Sequence, residues 1–415
     1  MLTRRSFLGS GIGASLALSS VFRTHSAFGR TDTPATPVSS RALAIHRKAL
    51  IFDGHVHALD REFYHGGSMG TRYTDGLWDL PRAREGGVGA FLCSVFIPEE
   101  YYPGRFETKQ AFRRIDHALR QFELNRDQVE LALNAGDIER IRAKGKIAAV
   151  LDIEGSYDLD GDLGVLRDLY RLGVRSAQLS AHNWNQNYAD SCCSAPQWNG
   201  LTDHGREVIH EMNRLGMLIN VSHSADDTIL QAIDASDQPV VATHHGLRSV
   251  VDIPRNMPDS VLKKLAAKGG VMGVWIGTQF NDPKAYASSA ARMKGPARTP
   301  GSVAESVKGK SIDEIDQLVA PTYPMHSPTQ DSSTMTVDDW VAVVDKVIQL
   351  VGEDHVALGS DFDGGPSLAR GMRDVRDLPQ ITDAMLRRGY SEERIDKFWG
   401  GNLLRVFRQV TQNRG

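Results

Sequence analysis

The chain has 415 residues, 41% hydrophobic and 24% charged, with a formal net charge of −3, the balance of a folded globular protein long enough for one large barrel or two ordinary domains. That composition excludes disordered and fibrous classes, and its weak acidity offers no basic surface for nucleic acid. Its three cysteines, Cys93, Cys192 and Cys193, exclude a disulfide framework and, without a Cys-x-x-Cys pair, a thiolate zinc site.

In chain order the first segment is Thr3-Arg4-Arg5-Ser6-Phe7-Leu8, followed by an uncharged Gly/Ser/Ala/Leu run from Gly9 to Phe22. This has the form of a twin-arginine export signal over residues 1–29. The run is shorter than the roughly 20 apolar residues that span a bilayer and is diluted by Gly and Ser. Cleavage near Ala27 to Arg30 would leave residues 30–46 as a linker leading into the fold, and a periplasmic or secreted protein without a membrane span.

From 47 to 412, apolar and β-branched runs alternate with segments of helical period. Strands are predicted near Ala49–His57, Val88–Ile97, Ile147–Glu154, Ser176–His182, Leu218–His223, Val240–His244, Val271–Ile276 and Val356–Asp361. Such strand–helix units predict an α/β fold, a (β/α)8 TIM-like barrel with a metal site at the C-terminal ends of its strands. Among the helices, Gly205–Leu215 and Asp338–Val351 have the clearest apolar faces. Thr108–Ala135 reads as one long helix. Asn281–Met335 exceeds an ordinary barrel loop and reads as an insertion with one convincing helical piece, Ser311–Val319. The adjacent Cys192 and Cys193 could bridge in an oxidising compartment or stay free; buried, inert thiols are the expectation.

The polar residues that carry chemistry sit where these strands end: His55, His57, Glu154, His182, His223, His244 and Asp361. In a barrel those ends converge, and rigid strand ends are where such enzymes hold catalytic groups. Alternation along a strand puts both imidazoles of His55-Val56-His57 on one face, where two nitrogens can meet one ion. Taken alone, the pair is as readily two satisfied structural histidines, and a single His223 more often structural. The pair, further histidines and two acids at successive or nearly successive strand ends together favour metal. Glu154 ends a buried strand, and its carboxylate there needs an ion or an arginine. Asp361 suits a general base and acid, passing a proton from a metal-bound water to a leaving amine; Asp363 shapes the turn.

Several blocks resemble the membrane dipeptidase (renal dipeptidase) family of zinc metallopeptidases over nearly all of residues 48–411. They are 52–57, 79–90, 200–205 running into 213–217, 221–224, Arg255-Asn256, 354–364 and 400–405. The resemblance implies that His55 and His57 bind one zinc, Glu154 bridges two, and His223 and His244 bind the second. It makes Asp361 the catalytic acid, with Glu154 at the reaction centre, and assigns Arg255 to a dipeptide's carboxylate and His182 to the substrate carbonyl or its oxyanion. A homodimer with two zinc ions per subunit is implied as well. Where the family has His-x-Asp, this chain has His55-Val56-His57. A neutral ligand replaces an anion, so the first metal should be held less tightly or be more electrophilic.

The expected activity is hydrolysis of free dipeptides, L-L and L-D, by a hydroxide between the two metals. The alternatives are another amidohydrolase activity on the same centre, such as lactone, β-lactam or N-acyl amino acid hydrolysis, and an exported binding protein without turnover.

Overall fold

The computed structural model describes residues 37–102, 106–155, 157, 162–292, 300–322 and 334–412; the export-signal segment lies outside them. The strands are β1 Ile51–Val56, β2 Val88–Ile97, β3 Val129–Leu131, β4 Ile147–Gly155, β5 Val174–Gln178, β6 Leu218–Asn220, β7 Val241–His245, β8 Val271–Trp275 and β9 Val356–Gly359. All pairings are parallel, in the order β1-β2-β4-β5-β6-β7-β8-β9. Each predicted strand run overlaps one of these eight, with ends that differ by a few residues, so the fold is the predicted nearly closed α/β barrel. Continuously buried strands such as Ile147–Gly155 are what a parallel sheet covered by helices requires.

The barrel closes between β1 and the turn after β9. Val56 bridges Phe362, Asp361 donates its backbone N–H to the His55 carbonyl at 2.9 Å, and His57 donates to the Phe362 carbonyl at 2.9 Å. Closure therefore sets Asp361 against the histidines of β1. The interior is also narrow across its short axis. A Cβ on Gly359 of β9 would lie 2.0 Å from the Thr243 carbonyl of β7, and one on Gly54 of β1 would lie 2.8 Å from it, although neither strand neighbours β7 in the sheet. Only glycine permits that approach. At the opposite end, the helix Asn402–Gln412 buries Leu403, Val406, Phe407 and Val410, one helical face, in a cluster with Phe52, Leu218, Val241, Val271 and Ala357 from the strands.

Two sequence expectations need correction. Thr108–Ala135 is not one helix. A helix spans Glu107–Leu124, Asn125 caps it by donating its side-chain N–H to the Gln121 carbonyl at 2.8 Å, and β3 follows. Val129 and Leu131 pair with Ile147 and Ala149 at the start of β4, on the edge that β5 takes over from Leu151. Pairing available only in three dimensions thus overrides helical period. The insertion is also more helical than predicted, with helices Pro283–Arg292, Pro300–Val307 and Ile312–Val319. Two begin with proline, whose fixed φ suits a first turn, and the third has the Ser311/Glu314 capping box. Among the described residues no helix is long and apolar enough to cross a membrane.

The insertion is tied to the barrel through Asp316. Its carboxylate accepts from the Tyr102 hydroxyl at 2.6 Å, the Gln110 amide at 2.9 Å and the Arg113 guanidinium at 2.7 Å. Replacing Asp316 by Ala removes the acceptor of the Tyr102 hydroxyl and one of the two acceptors of the Gln110 amide, which costs about 1–3 kcal/mol. Urea unfolding should show that loss, and limited proteolysis should cut D316A within 300–322 before the barrel.

Candidate metal centre

β1 delivers His55 and His57 to the barrel mouth with their Nε2 atoms 3.3 Å apart. β4 delivers Glu154, paired in register with Phe96 of β2. One of its carboxylate oxygens, Oε2, lies 2.7 Å from His55 Nε2 and 3.0 Å from His57 Nε2. The other, Oε1, lies 3.4 Å from His223 Nε2 and 3.6 Å from His244 Nε2, and those two nitrogens are 3.0 Å apart. A single buried carboxylate thus faces one histidine pair with each oxygen. Ser94 on β2 donates to Oε2 at 2.8 Å, and Gln178 on β5 to Oε1 at 3.2 Å, which fixes the plane of the group.

Asp361 completes the cluster. Its Oδ2 accepts from the Trp275 indole N–H at 2.8 Å, while Oδ1 lies 3.3 Å from His57 Nε2 and 3.8 Å from His55 Nε2. Three of these residues turn the backbone into the left-handed region: His182 at φ 55°, His223 at φ 64° and Asp361 at φ 58°. Such conformations cost of order 1–3 kcal/mol each and gather at functional sites. The loop after β5 holds two of them in place, for Ser191 Oγ donates to the carbonyls of His182 at 2.8 Å and His223 at 3.2 Å, and the Cys192 N–H donates to the His223 carbonyl at 2.8 Å. In that loop Cys192 and Cys193 form a disulfide and Cys193 is exposed, against the expectation of buried thiols; an adjacent pair on a surface loop has no core to enter. Cys93 is free and buried.

The electrostatics demand positive charge at this point. Burial alone would raise the Glu154 carboxyl, yet His55 and His57 hold it well below the usual range. Burial opposes the proton on His55, but Glu154, Asp152 and Asp361 raise it to about 10, and His57 is likewise raised well above an ordinary imidazole. His223 and His244 are pushed well below by burial, helped by Arg255, so they stand neutral with nitrogen lone pairs available. Carboxylate and imidazole donors gather here in three overlapping groups, His55 with His244 and Asp361, His55 with His57 and Glu154, and Glu154 with His182 and His223, the atoms of each group lying within 4.8 Å of one another, an arrangement suited to divalent cations. A cation would supply the charge that protonated His55 and His57 otherwise provide.

The residues expected to hold metal, substrate or a proton come together at this cluster. His182 lies beyond the end of β5 rather than on it, with its Nδ1 2.9 Å from Glu99 Oε1. Arg255, in the loop after β7, is buried at 6% exposure and donates one N–H to the His244 carbonyl at 2.9 Å. Its Nε and Nη1 have no protein acceptor. Burial lowers its pKa to about 10, against the pull of Asp361 and Glu154. The sequence reading did not find the residues behind these groups. They are Asp152, whose Oδ2 is 3.4 Å from His55 Nδ1, Asp60, whose Oδ2 is 2.7 Å from His57 Nδ1, Glu99 and Trp275. Asp152 was signalled by its place two residues before Glu154, on the same face of β4.

Residues 39–415 match the profile of the membrane dipeptidase family, peptidase family M19. The chain is 33% identical over 348 residues to Dipeptidase tcpJ of Claviceps purpurea, covering 82% of this chain and 71% of that protein. It is 29% identical over 384 residues to Dipeptidase 3 of Rattus norvegicus, covering 90% and 68%. Among solved structures, PvdM of Pseudomonas aeruginosa superposes with a TM-score of 0.73 at 25% identity, covering 90% of this chain and 98% of that one. A metallo peptidase of Rhodobacter sphaeroides liganded with a phosphinate mimic of the dipeptide L-Ala-D-Ala has the same fold, with a TM-score of 0.67 at 22% identity over 87% and 99%. From the span of the family match and the identity to its relatives, the chain belongs to the membrane dipeptidase family of metallopeptidases.

Proposed function

We propose that this enzyme hydrolyses free dipeptides, L-L and L-D, with two divalent ions, zinc by expectation, held by His55 with His57 and by His223 with His244 and bridged by Glu154. The observation that carries this reading is the division of the Glu154 carboxylate, one oxygen to each histidine pair. Such a metal pair, when bound, would supply a water acidified towards neutrality and would polarise the scissile carbonyl.

The chain's own groups do the rest. Asp361, with Oδ2 held by Trp275, keeps Oδ1 to take a proton from the attacking water and return it to the leaving amine. His182, anchored through Nδ1 by Glu99, offers its other ring nitrogen to the developing oxyanion. Glu99 raises the His182 pKa against the effect of burial, which favours the donating form. Arg255 has two nitrogens without protein acceptors, and a substrate carboxylate matches that planar donor set. It would fix the C-terminal end of a substrate short enough for one pocket. The phosphinate mimic of L-Ala-D-Ala bound to the R. sphaeroides peptidase supports including L-D substrates. The twin-arginine pattern at Arg4-Arg5 supports export of the folded protein.

Purified with zinc, the protein should turn over members of an L-L and L-D dipeptide panel; chelation should abolish that turnover and zinc restore it. Silence on the panel with metal bound would point to another amidohydrolase substrate, and absence of bound metal would overturn the site assignment. Asp361→Asn should lower kcat by roughly 10²–10⁴-fold while metal content, read by elemental analysis, stays at the wild-type value. Arg255→Met should act mainly on KM, raising it roughly 10–100-fold as a charge-assisted contact of about 1.5–3 kcal/mol is lost.

A further inference from the structure

The four histidines of the centre differ in what holds their other ring nitrogen. His244 Nδ1 is 3.0 Å from the Thr243 hydroxyl, and His223 Nδ1 is 3.4 Å from the Asn183 side-chain oxygen. His55 Nδ1 is 3.4 Å from Asp152. His57 alone has a carboxylate at close hydrogen-bond range, Asp60 Oδ2 at 2.7 Å. Asp60 is itself buried at 4% exposure, and its other oxygen accepts from the Arg114 guanidinium. Arg114 is buried between aromatic faces, 4.4 Å from the Phe63 ring centroid and 4.8 Å from that of Tyr64, and also donates to the Tyr64 hydroxyl. The carboxylate is therefore held on both sides and cannot turn away.

We propose that Asp60 is a positioning residue for the first metal, fixing His57 with its proton on Nδ1 and its Nε2 lone pair towards Glu154, and lending the carboxylate charge that a neutral histidine at position 57 lacks. The inference rests on the reading of His57 as a metal ligand. A carboxylate accepting from the far nitrogen fixes the tautomer and raises the basicity of the near one, and losing such a partner typically costs 10–100-fold in metal affinity. Asp60 can act only as an acceptor here, since Arg114 offers donors alone. Asparagine at 60 cannot serve both neighbours. With its oxygen towards Arg114, its amide N–H would face His57 Nδ1 and force the imidazole proton onto Nε2, where it blocks ligation. With its oxygen towards His57, the amide would meet the guanidinium donor to donor.

The test is zinc binding, measured by stoichiometry after dialysis and by competition with a chromophoric chelator, alongside the Tm of each chelated protein. Asp60→Asn should lose roughly 10–100-fold in affinity at one site and keep the other, while Asp60→Glu, which retains the charge, should lose less. With His57→Asp in the background, position 57 carries its own charge, and adding Asp60→Asn should change affinity by less than about three-fold, well below that range. Wild-type affinity at both sites in Asp60→Asn would overturn the proposal, as would an equal loss in both backgrounds, which marks a purely structural role. If Asp60→Asn does not fold, recovery of folding in the double variant supports the proposal and failure of both variants overturns it. A wild-type protein that binds no zinc would instead overturn the metal reading on which the proposal stands.

Discussion

A carboxylate buried at the mouth of a parallel barrel has to be neutralised from both of its oxygens, and at Glu154 one histidine pair meets each of them. Isolated, such a charge would cost several kcal/mol. The surrounding architecture is arranged to prevent that. β4 carries the group between β2 and β5, whose Ser94 and Gln178 take up one further lone pair on each oxygen. β1 brings one imidazole pair to one side; β7 and the turn after β6 bring the other pair to the opposite side. Polar residues continue below, where Asn220 donates to Asp152 at 3.0 Å and to Thr243 at 2.9 Å, so the upper barrel is a connected polar network rather than a dry core.

Distances in that network depend on backbone features remote from the chemistry. The approach of β9 and β1 to the Thr243 carbonyl, possible because Gly359 and Gly54 lack a Cβ, narrows the barrel enough for the His55 and His244 rings to stack at 4.0 Å. The hydrogen bond from the Asp361 N–H to the His55 carbonyl ties the proposed acid to the strand that carries the first histidine pair. Helix and loop packing then holds left-handed residues that would relax elsewhere. An active site of this kind tolerates little slack, since reacting groups must be held within about half an ångström of their working positions.

How much of this was legible in the sequence follows from how locally each feature is encoded. Strand period and length are local, so the barrel strands and the polar residues at their ends could be read directly, His55, His57, Glu154 and Asp361 among them. β3 was not legible, because three residues that complete the edge of β4 carry no period of their own. Glu99 and Trp275 were missed because a lone acid past a strand end, or an aromatic at the end of one, has many ordinary uses; only the partner met in three dimensions, His182 for Glu99 and Asp361 for Trp275, gives it a role. Asp60 was hidden for another reason. It opens a short helix, Asp60–His65, where an acid is the normal complement to the helix dipole, and nothing in the sequence shows its contact with His57.

In the proposed reading, the environment of Arg255 bears on substrate choice. Its guanidinium is nearly out of solvent, has Phe280 at 5.6 Å from its centre, and spends one donor on the His244 carbonyl. Leaving its other donors unpaired in such a place is expensive. In the proposed reading, a ligand with a carboxylate recovers that cost, whereas a neutral lactone or ester cannot. A site built around a fixed polar donor discriminates against ligands lacking the partner far more strongly than an apolar pocket discriminates by size. On this physical ground the proposed reading favours short acids, with the free carboxylate end of a dipeptide as the group that would satisfy Arg255.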